Sequence, residues 1–301
     1  MVHPKSHKFG DHDLQEVLAW MPQGQSAGSV FWIVFIHGGA WRDPTITARS
    51  FAEPAVSILL SDASTAPELR IPDGKSLAIA SLSYRLSPHP SYPQDPEITP
   101  RPSLRIAKHP DHIEDVCSGI ALLGREYGLS DDNYVLVGHS CGGTLAFQAL
   151  KRHVDTGGIP APRALAGLAG IYDIESLVEN HKDGPYAEVY ASFIKGAFGD
   201  DKKVWAHASP RRSYEHGSRE LFSGRTFLLV TADGDDLVEP EQRDEMKNTL
   251  TGRHTKNPQI EESQDCRYAE MSVEGGHDEM WQQGERMVKV IQRLFMILSG
   301  T

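Results

Sequence analysis

A continuous apolar run stands at Ser29-Val-Phe-Trp-Ile-Val-Phe-Ile36, and His37-Gly38-Gly39 follows at once. The run is rich in β-branched and aromatic residues and too short for a self-sufficient helix. It reads as a strand buried on both faces, because a strand with one wet face would alternate apolar and polar. A sheet built from such strands must be covered on both sides. Similar runs recur from Leu77 to Tyr84, Tyr134 to Val137, Arg163 to Gly170, Thr226 to Thr231 and Tyr268 to Val273.

Between these runs lie stretches with helical spacing. A helix is expected from Ile46 to Leu60. Another opens at Asp111 and carries Ile113, Val116, Cys117, Ile120 and Leu123 on one side. A third follows Gly142 with Leu145, Phe147 and Leu150 as its apolar positions. Two more are expected over Pro240–Leu250 and Glu279–Ile297. Strands alternating with amphipathic helices predict an α/β fold, a mostly parallel central sheet with helices on both faces.

The remaining segments are read as additions to one domain spanning 1–301. Leu14 to Trp20 suits an edge strand, and the polar, His-bearing residues 1–13 (His3, His7, His12) a loose, solvated entry segment. Residues 86–110 contain seven prolines and predict an irregular excursion. Residues 174–222 have helical patches and aromatics but no strand alternation, which suits a small helical cap. Thr251–Asp265 is polar and reads as a mobile loop.

Composition excludes several classes. The 301 residues carry a formal net charge of −11 with no block of Lys or Arg, which argues against nucleic acid or an anionic membrane as partner. Cys117, Cys141 and Cys266 are odd in number and widely spaced, so neither a disulfide framework nor a zinc site is suggested. Met1 to Lys8 has no apolar leader region, and no run approaches a membrane span, so the expected compartment is the cytoplasm. A homodimer is compatible with the sequence and not required by it.

In open α/β sheets the reactive groups sit past the carboxyl ends of strands. Four loops in that position carry chemistry: His37-Gly38-Gly39, Gly138-His139-Ser140-Cys141-Gly142, Ala232-Asp233-Gly234-Asp235-Asp236 and Glu274-Gly275-Gly276-His277. Gly-x-Ser-x-Gly between a strand and a helix is the setting of a nucleophile elbow, a sharp turn that needs small neighbours. A Ser hydroxyl needs a base, a neutral His suits that task, and the His needs a carboxylate to fix its tautomer. The chain order Ser140, Asp235, His277 matches that of α/β-hydrolases.

Asp233, Asp235 and Asp236 compete for the acid. Asp235 is preferred because Asp235-Asp236-Leu237-Val238 resembles the hydrolase pattern with the acid one residue before a Leu/Val pair, and Asp236 stays open. The backbone amides of Gly38, Gly39 and Cys141 are the candidate donors to an oxyanion. Cys141 itself is read as a small packing residue. His109-Pro-Asp-His112 could suggest a metal pair, but no third ligand lies nearby, and Asp111 has a use as a helix cap.

His37-Gly38-Gly39-Ala40-Trp41 resembles the His-Gly-Gly-x-Trp motif of eukaryotic kynurenine formamidases (arylformamidases), a group within the esterase-like α/β-hydrolases. Tyr84-Arg85-Leu86-Ser87-Pro88 is similar to a Tyr-Arg-Leu-x-Pro segment of the wider superfamily. The resemblance runs from about Ser29 to the last helix. It implies an α/β-hydrolase fold and hydrolysis of N-formyl-L-kynurenine to kynurenine and formate, with no metal and no cofactor. In that reading Trp41 beside the oxyanion turn supplies bulk and an aromatic wall to a closed acyl pocket, or is a core anchor beneath the loop; residues 186–205 offer apolar surface to the anilide, and Arg42 and Arg85 are candidates for the amino-acid carboxylate by nearness in sequence. A carboxylesterase for small acyl esters is the alternative. A catalytically silent binding protein of the same fold is disfavoured, since a pure binder needs none of Ser140, Asp235 and His277.

Overall fold

Side chains of Val30–Ile36 (β3) divide between two cores. Val30, Trp32, Val34 and Ile36 pack on one side, and Phe31, Ile33 and Phe35 on the other. That two-sided burial is why the segment shows no alternation. The computed structural model describes residues 3–61, 69–214, 219–251 and 266–300. The loop expected over Thr251–Asp265 lies, beyond Thr251, outside these residues.

The described chain runs β1 (Lys5–Lys8), β2 (Glu16–Trp20), β3, α1 (Ala48–Leu59), β4 (Ser76–Leu82), α2 (Asp111–Tyr127), β5 (Tyr134–His139), α3 (Cys141–Thr156) and β6 (Ala164–Leu168). Five helices follow: α4 (Ile174–His181), α5 (Ala187–Phe198), α6 (Lys202–Ala208), α7 (Pro210–Ser213) and α8 (Arg219–Phe222). The chain then passes through β7 (Thr226–Ala232), α9 (Pro240–Thr251), β8 (Arg267–Val273), α10 (Glu279–Gln282) and α11 (Gly284–Ser299).

One eight-stranded sheet has the order β1-β2-β4-β3-β5-β6-β7-β8. Strands β4, β3, β5, β6, β7 and β8 are parallel, and only β2 pairs antiparallel, with β1 and β4. Helices α2, α3 and α9 cover one face, through Ile113, Val116, Leu145, Phe147, Met246 and Leu250. Helices α1 and α11 cover the other, through Phe51, Ala52, Met287, Ile291 and Leu294. No helix among the described residues is long and apolar enough to cross a membrane.

Three expectations need correction. The segment 1–13 is not loose where it is described. Lys5–Lys8 pairs with β2 from Lys5↔Ala19 to Lys8↔Glu16. His7 Nε2 lies 2.6 Å from the Tyr127 hydroxyl, and buried His12 bonds the Leu104 carbonyl at 3.1 Å. An edge strand takes its hold from backbone pairing, which polar side chains do not reveal. The last helix is broken at Gln283, whose φ of −97° and ψ of 93° are extended. There the next residue, Gly284, abuts the backbone of Pro54 so closely that a Cβ would collide with it. Finally, α2 is capped by Pro110, with Asp111 as its first helical residue and its Oδ2 accepting from the Lys108 amide at 3.0 Å.

Candidate active site

Because β3, β5, β7 and β8 are parallel, their carboxyl ends open on one edge of the sheet, and the four loops meet there. Ser140 sits between β5 and α3 with φ 53° and ψ −124°, a left-handed conformation that L-residues other than Gly rarely hold. Its amide donates to the Leu168 carbonyl at 2.8 Å, and its carbonyl accepts from Gly143 at 2.9 Å. The flanking glycines are required by space. A Cβ on Gly138 would overlap the Gly142 carbonyl, and one on Gly142 would overlap the Ile36 carbonyl. The elbow is therefore wedged against the end of β3.

His277 Nδ1 donates to Asp235 Oδ2 at 2.8 Å. The other oxygen, Oδ1, accepts from the amides of Leu237 and Val238 at 2.9 and 3.0 Å. The carboxylate is thus clamped at both ends, and the ring's Nε2 is left unprotonated in the neutral tautomer. Of the three competing acids, Asp235 alone pairs with His277; Asp233 accepts from the Ser272 hydroxyl instead. Ser140 and His277, 6% and 8% exposed, line a common cavity of about 420 Å³. That volume is within the range of about 300–1,000 Å³ typical of small-molecule sites.

The turn after β3 is bent through three successive left-handed residues: Gly39 (φ 99°), Ala40 (49°) and Trp41 (58°). Two of these are not glycine, so the bend is held by its surroundings. Gly39's carbonyl accepts from Arg42 and Asp43 at 2.9 Å each, and the Trp41 carbonyl accepts from Ser87 at 2.9 Å. The N–H groups of Gly38 and Gly39 have no hydrogen-bond acceptor among the described residues. Gly38 stands so close to the elbow that a Cβ would meet His139 Nδ1 at 2.7 Å and Ser140 Cβ at 3.1 Å.

Two buried side chains tie this turn to the elbow. The Cys141 thiol accepts from the Trp41 amide at 3.3 Å, and the Tyr84 hydroxyl donates to the His37 carbonyl at 2.9 Å and lies 3.5 Å from the Cys141 sulfur. Tyr84 stacks on His37 at 4.5 Å between ring centroids. Burial pushes the Cys141 thiol up to about 11 and the His37 imidazole down to about 4, so both stay neutral. The tethering roles of Tyr84 and Cys141 had no signal in the residue pattern.

Trp41 does not line the cavity. It is 1% exposed and packs edge-on against Phe198 at 4.9 Å, with Phe193 at 6.2 Å. The aromatic wall comes from the cap instead, from Tyr186, Tyr190 and Phe193 beside Val189. Tyr190 donates to the Leu237 carbonyl at 2.5 Å, joining α5 to the loop that carries Asp235. Arg42 lines the cavity. Arg85 does not; its guanidinium bonds both oxygens of Asp115 at 2.8–3.1 Å.

His139 Nε2 donates to the His277 carbonyl at 3.0 Å, and burial holds its pKa well below the usual value. His139, His277 and Asp278 bring possible metal-ligand atoms within 4.8 Å of one another. The His277 ring already bonds Asp235 through Nδ1. Among the described residues His109 and His112 form no such group: His112 is buried with Nε2 3.1 Å from the Ser87 hydroxyl.

No protein-family model matches the chain. It is 36% identical over 280 residues to the kynurenine formamidase-like hydrolase fscH of Fusarium equiseti, covering 91% of this chain and 87% of that protein. It is 31% identical to kynurenine formamidase avaC of Aspergillus versicolor, over 85% of each chain. The chain belongs to the kynurenine formamidase family. A third member, kynurenine formamidase of Meyerozyma guilliermondii, is 32% identical over 84% of this chain and 83% of its own. In structure, this formamidase-family chain is similar to esterase B of Lactobacillus rhamnosis, with a TM-score of 0.67 at 14% identity over 99% and 88% of the two chains. It also resembles an esterase of Pyrobaculum calidifontis, at 0.59 and 16% over 95% and 81%. At such identities the likeness fixes the α/β-hydrolase fold alone.

Proposed function

We propose that the protein hydrolyses N-formyl-L-kynurenine to L-kynurenine and formate through a formyl-enzyme on Ser140, without a metal or other cofactor. The observation that carries this reading is the 2.8 Å bond from His277 to a fully clamped Asp235, at the wall of the cavity that also exposes Ser140. In this reading His277 Nε2 takes the Ser140 proton as Oγ attacks the formyl carbon. The oxyanion forms toward the amides of Gly38, Gly39 and Cys141, and an unoccupied N–H at Gly38 and Gly39 suits that use. His277 then gives the proton to the anilide nitrogen, the C–N bond breaks and kynurenine leaves. A water molecule, deprotonated by the same His277, attacks the formyl ester, and formate departs with Ser140 restored.

The small-molecule site also suits this substrate in shape. Tyr186, Tyr190 and Phe193 offer an aromatic wall to the anilide ring. Trp41, for which the sequence left an acyl-pocket wall and a core anchor both open, acts from behind by holding the turn that carries the oxyanion donors. Two measurements test the proposal. Hydrolysis of N-formylkynurenine should survive exhaustive chelation, and its loss would contradict the metal-free route. A serine-directed phosphonate should label Ser140 and stop turnover; labelling elsewhere, or none, would contradict the nucleophile.

A further inference from the structure

Among the described residues Arg42 is the one Lys or Arg side chain lining the cavity, and it is 7% exposed. Its Nη1 donates to Ser192 Oγ on α5 at 3.0 Å, and its guanidinium carbon lies 5.6 Å from the centroid of the Phe193 ring. These two contacts hold the planar fork against the cap wall. No carboxylate lies within ion-pair distance of it among the described residues. Asp43 beside it acts only through space, since its Oδ1 accepts from the amide and hydroxyl of Thr45 at 2.8 and 2.7 Å. A buried guanidinium is ordinarily paired, as Arg85 is with Asp115. Arg42 has the same need and an open cavity where the partner would be.

We propose that Arg42 and Asp43 form a head-group subsite for an α-amino-acid zwitterion, with Arg42 taking the carboxylate and Asp43 the ammonium. This rests on the formamidase reading and deepens it by naming what recognises the end of the substrate remote from the formyl group. An α-amino acid carries both charges on one carbon, so its two readers must be neighbours, and both line the same cavity. A guanidinium fork matches a carboxylate with two parallel hydrogen bonds, which a lysine would not reproduce.

The test compares kcat/KM for N-formyl-L-kynurenine and for 2-formamidoacetophenone, the same formanilide without the amino-acid head. The wild-type protein should prefer N-formylkynurenine by at least about tenfold, and Arg42→Met should cut that preference by roughly 10- to 100-fold, mainly through KM. Arg42→Lys should restore part of it. Equal kcat/KM for the two substrates in the wild type, or an undiminished preference in Arg42→Met, would overturn the subsite while leaving the formamidase reading intact. Failure to hydrolyse either compound would remove the formamidase reading and this inference with it. Should Arg42→Met not fold, wild-type inhibition decides the matter: L-kynurenine should compete at least tenfold more tightly than 2-aminoacetophenone, and equal inhibition would refute the assignment.

Discussion

At the scale of single residues, the account depends on three side chains carried by three separate loops. Ser140→Ala should lower kcat for N-formylkynurenine by at least about 10⁴-fold with an unchanged thermal midpoint, since the proposed triad of Ser140, Asp235 and His277 would act as a unit. Asp235→Asn should lose about 10⁴-fold in kcat, because an amide fixes the wrong imidazole tautomer, whereas Asp236→Asn should stay within a few-fold. A larger loss at Asp236 would contradict the pairing seen at His277. That Ser140 and His277 would meet at one cavity was legible from the glycines around them and their places at strand ends. The choice among Asp233, Asp235 and Asp236 was not legible from residue type; it follows from which carboxylate the Leu237 and Val238 amides hold. For Trp41 the sequence left a pocket wall and a core anchor both open, and the choice follows from its packing on Phe193 and Phe198 of α5.

At the scale of elements, the turn from His37 to Trp41 carries strain at Ala40 and Trp41, on the order of 1–3 kcal/mol per residue. The burial of Trp41 against Phe193 and Phe198 and the tethers from Tyr84 and Cys141 offset it. Trp41→Ala should destabilise the fold by about 3–5 kcal/mol and lower kcat more than it raises KM, because the loosened turn would displace the Gly38 and Gly39 amides proposed to meet the oxyanion and not the substrate-lining wall. A Trp41→Ala enzyme that loses stability but keeps full kcat would show that the turn is rigid without its anchor. The buried parallel strands were the most legible elements, since their unbroken apolar runs have few other uses. Lys5–Lys8 was not, because an edge strand with both faces near water needs no apolar pattern. The break at Gln283 was hidden too; beside it Gly284 lies against the backbone of Pro54 on α1, a contact no local pattern announces.

At the scale of the whole molecule, the buried histidines set an acid limit to stability. Burial lowers His37 to about 4 and His112 to about 3, and puts His139 well below its usual value. The unfolded chain binds protons at these rings below about pH 6.5, and the folded chain does not. Their contribution is therefore present above pH 6.5 and is lost as pH falls toward the folded values, for His37 and His112 by about 2 kcal/mol each at pH 5. The urea midpoint should fall steadily from pH 7 to pH 5, and a flat profile would contradict neutral burial. The same architecture that buries these rings brings four strand ends to one edge of the sheet, where Ser140 and His277 line one cavity. The most direct measurement sets kcat/KM for N-formyl-L-kynurenine beside that for p-nitrophenyl acetate, in the wild type and in Ser140→Ala. The account predicts a preference for the formyl-anilide of at least about tenfold that disappears with Ser140; rapid ester hydrolysis with N-formylkynurenine at background would contradict it.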